Sequence, residues 1–342
     1  MFLIKILIIS LIFLILYIIL KKTRLLIDDT GSSSHKKFVN SNSKPILLGG
    51  IFFLIVTVLL LPNINLIFKI LVFFIFFLGI LSDINFLNDP LKRILTQILL
   101  VSLFVIGEEI FIRSLSLDFF DKLMQVNTIN ILFTIFCFLI LINGTNFIDG
   151  LNILASGYFL MITLSLIFLN QNILINILHL DAITLVCISL IIFMVFNFFN
   201  LVYLGDSGSY LISLLIGYFV VLNFNNNFSI SPYYVCLLFW YPAYENLFSL
   251  LRRSTKKKIV SNPDNQHLHQ LIFIKIKNFT NKSHIVSNLI SSSLILFYNL
   301  IIFILAFKFY SSTNILVLII STNIVIYTTL YYFLSKDLMN NK

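Results

Sequence analysis

Charge is what this sequence has least of. Only 11% of its 342 residues are Asp, Glu, Lys or Arg, against roughly 25% in an average soluble domain. So few charges cannot cover a water-facing surface, which excludes an ordinary soluble globular protein. Proline is also scarce, with 6 residues, and glycine numbers 11. Long helices therefore meet few breakers, and each glycine beside a polar residue stands out. The three cysteines, Cys137, Cys187 and Cys236, all lie inside apolar runs. With no disulfide or metal spacing between them, they exclude a disulfide scaffold and a thiolate zinc site.

What is present is hydrocarbon. Hydrophobic residues make up 59% of the chain, and its mean hydropathy is +1.02. The apolar runs are too many and too long for soluble core helices, so the expected fold is all-α and polytopic, an integral membrane protein of eleven helices. Spans are predicted at 2–20, 46–62, 65–81, 94–112, 128–142, 151–169, 181–197, 208–223, 232–251, 284–307 and 313–334. The first is closed by Lys21, Lys22 and Arg24 and has no small-residue cleavage site, so it reads as a retained anchor.

The net charge of +9 belongs to orientation, not to nucleic acid. Of 23 Lys and Arg, 18 fall in segments 21–44, 82–93, 252–283 and beyond 335. Only Arg113, Lys122 and Lys308 fall on the opposite side, with Lys5 and Lys69 left near span ends. The positive-inside rule then places the N-terminus outside. Residues 1–342 read as one transmembrane domain, with cytoplasmic loops at about 21–45, 82–93, 143–150, 198–207 and 252–283.

The polar clusters sort to that same face. Asn143–Gly150 places a carboxylate, amides, a hydroxyl and two glycines between two apolar runs. Charge near hydrocarbon is costly, on the order of 2.5–3.5 kcal/mol at a helix centre, although an ordinary inter-helix turn would also be polar. Asp83, Asp149 and Asp206 each stand alone at a helix boundary, from which they could converge on one cation. Hard oxygen ligands favour Mg²⁺, with Mn²⁺ as the substitute. Asp206 opens a helix beside free N–H groups that suit phosphate, and the simpler role is a helix cap. His267 and His269 are two apart, unlike a zinc-binding i, i+4 pair, and with Arg253 they suit anions. Glu245, seven residues before Arg252, reads as its ion-pair partner.

These residues carry a resemblance. Asn-Gly-Thr-Asn-Phe-Ile-Asp-Gly-Leu-Asn-Ile-Leu-Ala-Ser-Gly (143–157), Leu-Gly-Asp-Ser-Gly-Ser (204–209), Tyr-Pro-Ala-Tyr-Glu-Asn-Leu-Phe-Ser (241–249), Arg252-Arg253 and Pro263-Asp-x-x-His267-Leu-His269 occur in order. They resemble the blocks of the bacterial polyprenyl-phosphate N-acetylhexosamine-1-phosphate transferases, glycosyltransferase family 4, and in particular the undecaprenyl-phosphate N-acetylglucosamine-1-phosphate transferases. The resemblance implies a multi-pass protein of the bacterial inner membrane. Its substrates would be a UDP-N-acetylhexosamine and polyprenyl phosphate, with UMP released and lipid-linked glycan synthesis begun.

It also implies Mg²⁺ or Mn²⁺ as cofactor and leaves room for a homodimer. The implied catalytic residues are Asp83, Asp149, Asp206 and His267. Asn143, Asn146, Asn152, Arg253 and His269 would meet the substrates, and Asp206 and Asn143 the metal. Asp83 would sit near the lipid phosphate as a base. The chain departs from the family at Ser82, where an aspartate is usual, at 198–204, at Ile153 and at Gln270. Ser82 is accordingly expected to matter little. A transporter or flippase, or a catalytically silent paralogue, remains open on sequence.

Overall fold

The computed structural model describes residues 2–27, 45–62, 64–173, 175–255, 266–280 and 282–340. Asp28, Asp29, His35, Lys36, Lys37, Lys256–Lys258, Pro263 and Asp264 lie outside these. In chain order the elements are α1 (Phe2–Thr23), β1 (Ile46–Leu47), α2 (Gly49–Ile55), α3 (Leu66–Asp83), α4 (Pro90–Gly107), α5 (Asp118–Met124), α6 (Asn127–Ile148), α7 (Leu154–Ile173) and α8 (Leu180–Phe198). After these come β2 (Val202–Tyr203), α9 (Gly205–Asn225), α10 (Pro232–Leu238), α11 (Trp240–Thr255), α12 (Leu268–Thr280), α13 (His284–Lys308) and α14 (Thr313–Asn340).

The all-α, multi-pass expectation holds. Among the described residues nine helices, α1, α3, α4, α6, α7, α8, α9, α13 and α14, are long and apolar enough to cross a membrane. The other two expected spans take a different form. Over 46–62 the helix starts only at Gly49, because Ile46–Leu47 pairs in parallel with Val202–Tyr203, and it ends in a π-helical turn at Val56–Leu60. Over 232–251 the helix breaks at Phe239 into α10 and α11. Pro242, in the first turn of α11, has no N–H and its ring would clash with a preceding carbonyl, which disfavours one straight helix over 232–251 and suits a start just before it.

Local chemistry sets several starts. Asn65 Oδ1 accepts from Phe68 N at 2.6 Å to open α3, and Ser231 and Ser283 accept at α10 and α13. Asp89 Oδ1 accepts from Leu91 N at 2.9 Å with Pro90 at the first helical position, so α4 begins four residues before the predicted 94.

Helix α9 is buried along nearly its whole length, as a helix apolar all round must be. Its first turn is wrapped closely: a Cβ on Gly79 of α3 would collide with Ser207, and one on Gly49 would lie 2.7 Å from Leu204 Cα. The tiny parallel pair β1–β2 sets the Gly49 contact by tying the chain before α2 to the chain before α9. These contacts gather the C-terminal ends of α3, α6 and α8 and the N-terminal ends of α4, α7 and α9 at one end of the bundle.

Candidate active site

That end is organised on the first turn of α9. A helix start leaves N–H groups without intrahelical partners, and a carboxylate is the strongest acceptor for them. Asp83, the last residue of α3, supplies it. Its Oδ1 accepts from Asp206 N at 2.8 Å, and its Oδ2 accepts from Ser207 N at 3.1 Å and Ser207 Oγ at 2.6 Å. Gly205 enters the turn at φ +73°, and a Cβ there would lie 2.9 Å from Asp83 Oδ2. Only glycine combines that conformation with that approach.

Capped in this way, Asp206 turns its own carboxylate to α3 and α4. Ser82 Oγ donates to Asp206 Oδ2 at 2.5 Å, and Arg93 Nη1 donates to the same oxygen at 3.1 Å and to Ser82 Oγ at 2.9 Å. Asp206 and Arg93 are each about a quarter exposed, at 25% and 29% of the side chain, so the pair is open to a ligand. Ser82 thus has a part that its departure from the family pattern hides: its hydroxyl bridges the cation and the anion.

Sequence reasoning placed Arg93 in a basic loop and missed it as a site residue. The Asp89-Pro90 start signal would have found it. It puts Arg93 and Gln97, four apart, on one face of α4. Gln97 Oε1 accepts from Asn143 Nδ2 at 3.0 Å. Asn143 is not in a loop, because α6 runs six residues past the predicted end, to Ile148. The polar side chains are absorbed by the helix itself: Asn143 Nδ2 also donates to Leu139 O at 2.9 Å, and Thr145 Oγ1 donates to Leu141 O at 2.7 Å. One turn on, Asn146 Nδ2 donates to Tyr210 OH of α9 at 3.4 Å.

A second cluster meets the last turn of α6 from the other side. His267 precedes α12; its N–H donates to Gln270 Oε1 at 3.1 Å while Gln270 N donates back to His267 O at 3.0 Å. This reciprocal cap gives Gln270 a helix-starting role. The rings of His267 and His269 lie parallel with centroids 5.7 Å apart, and Phe147 of α6 lies 4.8 Å from His267. A Cβ on Gly150 would stand 2.5 Å from His269 Nε2.

Glu245 is paired differently from the sequence reading. Its Oε1 meets His267 Nδ1 at 2.9 Å, while Arg252 donates to Gln266 Oε1 at 2.9 Å and covers the Tyr331 ring at 5.6 Å. Arg253 is buried at the end of α11.

The remaining expected residues separate. Asp149 caps the C-terminal end of α6 and is half-buried. Asn152 is buried in an amide network. Its N–H donates to Asn288 Oδ1 at 2.9 Å and its Nδ2 to Asn200 Oδ1 at 3.1 Å, and Ile153 N donates to Asn197 Oδ1 at 2.5 Å. These bonds tie the start of α7 to α8 and α13.

The convergence of Asp83, Asp149 and Asp206 on one cation is corrected. Among the described residues no three His, Cys, Asp or Glu side chains come together as a metal-holding group. Asp83 is drawn away by the N–H groups of α9. The oxygen chemistry still suits a hard cation held by one protein carboxylate and completed by phosphate oxygens and water. The bonds that reach the Asp206 carboxylate from described residues fall on Oδ2, and those of Asn143 and Asn146 use the amide nitrogen. Oδ1 is the atom each has to offer.

Residues 65–223 match the family described as glycosyl transferase family 4, a stretch that holds Asp83, Arg93, Asn143, Asn146 and Asp206. A protein of Bacillus subtilis (strain 168), described as a probable undecaprenyl-phosphate N-acetylglucosaminyl 1-phosphate transferase, is 25% identical over 201 residues. The matched region is 58% of this chain and 55% of that relative, so the chain spans just over half the length of the curated protein it matches.

Proposed function

We propose that this chain, whose residues 65–223 match glycosyl transferase family 4, transfers an N-acetylhexosamine-1-phosphate from a UDP-sugar to polyprenyl phosphate at the cytoplasmic face of a bacterial inner membrane. The observation that carries this reading is the meeting of Asp206, Arg93 and Ser82 at the start of a buried helix whose side faces Asn146. A guanidinium suits a diphosphate, and an acid with open amide oxygens suits the cation that would accompany it, at a membrane-helix end where the lipid partner arrives from the bilayer. The product would start a lipid-linked surface glycan of O-antigen, common-antigen or teichoic-acid type.

In this reaction an oxygen of the lipid phosphate attacks the β-phosphorus, the bond from that phosphorus to the bridging oxygen breaks, and UMP leaves with the electron pair. Phosphoryl transfer asks mainly for positioning and charge stabilisation. Arg93, Arg253 and His267 would hold phosphate oxygens, and Asn143 and Asn146 would orient the nucleotide side. A divalent cation on Asp206, with Asn143 and Asn146 beside it, would neutralise charge developing on the leaving UMP. A phosphate monoester is already largely anionic at neutral pH, so the attack needs no base. Asp83 then serves by holding Asp206 in place.

The test is UMP release from a panel of UDP-N-acetylhexosamines with undecaprenyl phosphate and purified protein. Release that depends on the lipid supports the reading; none with any sugar sinks it in favour of a transporter or a silent paralogue. Excess chelator is expected to abolish release, and Mg²⁺ or Mn²⁺ to restore it; undiminished release in chelator would remove the cation from the mechanism.

Orientation has its own check. In a background with Cys137, Cys187 and Cys236 replaced by Ala, a cysteine at the exposed Ser254 should label in inside-out vesicles and stay unlabelled in intact cells. Labelling from outside would invert the topology. Ser33, an equivalent position by sequence, lies outside the described residues.

A further inference from the structure

Glu245 is an acid in the second turn of α11, 1% exposed. A carboxylate withdrawn from water needs donors on both oxygens. Here they come from two different segments. Oε1 accepts from Leu268 N at 3.3 Å and lies 2.9 Å from His267 Nδ1, while Oε2 accepts from Tyr327 OH at 2.7 Å. Tyr327 belongs to α14, far beyond the residues that match the family. It is itself fixed by aromatic packing, with ring centroids 4.9 Å from Tyr244 and 5.3 Å from Phe248.

A carboxylate has no proton to give. The short contact to Glu245 therefore requires hydrogen on His267 Nδ1, whether the ring is neutral or charged. The ring plane is set separately, by His269 on one contact and Phe147 on another. Together these contacts specify where one imidazole carries hydrogen and how it is oriented, and the orientation reaches Phe147 in the last turn of α6.

We propose that Glu245 and Tyr327 are positioning residues that hold His267 with hydrogen on Nδ1 directed at Glu245, so that Nε2 is the nitrogen turned to substrate, where it donates to a phosphate oxygen when the ring carries both protons. This rests on the transfer reading only for what His267 meets; the arrangement itself does not. The last helix, α14, thereby takes part in the site through a single hydroxyl.

Two measurements test it. In ¹⁵N-histidine-labelled protein, the His267 signal, assigned by its loss in His267→Asn, is expected to show protonated Nδ1 in the wild type and to lose that preference in Glu245→Gln. A wild-type signal with the proton on Nε2 alone would overturn the proposal, and this reading requires no enzyme activity. In the UMP-release assay, Glu245→Gln is expected to lower kcat by roughly 10–100-fold, as loss of a carboxylate behind a histidine does, with KM little changed. Tyr327→Phe should lower kcat less and in the same direction.

Combining Glu245→Gln with His267→Asn should add no further loss, because both act through one ring. Fully additive losses would mean that Glu245 acts on its own and would sink the proposal. A wild type with the expected ¹⁵N signature but no UMP release would instead sink the transfer reading and leave the positioning intact. Tyr327→Phe removes only a hydroxyl, so it serves if Glu245→Gln fails to fold.

Discussion

Asp206→Asn is expected to lower UMP release by at least about 100-fold, equivalent to ~2.7 kcal/mol of barrier. The substitution keeps size and shape and removes the negative charge that faces Arg93. It also puts an amide donor beside the Arg93 and Ser82 donors, or turns its oxygen to them and leaves an N–H where a cation should meet oxygen. In a reaction that depends on placed charge, that loss falls on the transition state. Ser82→Ala is the comparison. Its hydroxyl donates to Asp206 at 2.5 Å, and a hydrogen bond to a charged group contributes about 1.5–3 kcal/mol. Arg93 keeps its direct contact at 3.1 Å, so the lower end applies and the loss should be about tenfold. Near-normal turnover in Asp206→Asn would place the reacting phosphates elsewhere. Equal losses in the two variants would mean that the serine does more than orient the acid.

The difference between these two residues also shows what the sequence could and could not disclose. Asp206 was legible because its signal is local: a glycine and an acid opening an apolar run mark a helix start. Arg93 was equally local in principle, through Asp89-Pro90, but the apolar run beginning at Ile94 drew the predicted boundary past it. The same happened at Asn143–Ile148, where polarity suggested a loop and side-chain bonds to the preceding turn kept the helix going.

Long-range pairings left no such trace. The i, i+7 spacing of Glu245 and Arg252 suggested a partner on the same helix, while the carboxylate turned to His267 and Tyr327, 22 and 82 residues away. Which helix ends meet depends on packing, and packing on glycines whose contact partners no local pattern names. Ile153 is a further case. It stands where the resembling family has glycine, and its φ of +61° is the left-handed conformation that glycine adopts freely. The amide network around Asn152 and Asn197 holds it there.

Asp83 is where the sequence reading and the geometry differ most in consequence. By resemblance it would be a base near the lipid phosphate; in the structure both of its oxygens accept from the first turn of α9. Asp83→Asn separates the two roles. An amide offers one acceptor oxygen where the carboxylate offers two, so its NH₂ would face either Asp206 N or the Ser207 donors. Losing one or two bonds to a charged acceptor removes about 2–3 kcal/mol, at the very turn that aims Asp206. The capping role therefore predicts a fall in UMP release of about 100-fold together with a lower unfolding temperature, since the start of α9 packs against α2 and α3. A base that is not structural predicts the rate loss alone. If Asp83→Asn unfolds at the wild-type temperature while its turnover collapses, the carboxylate acts on substrate. If stability and turnover fall together, Asp83 works by holding the helix that holds Asp206.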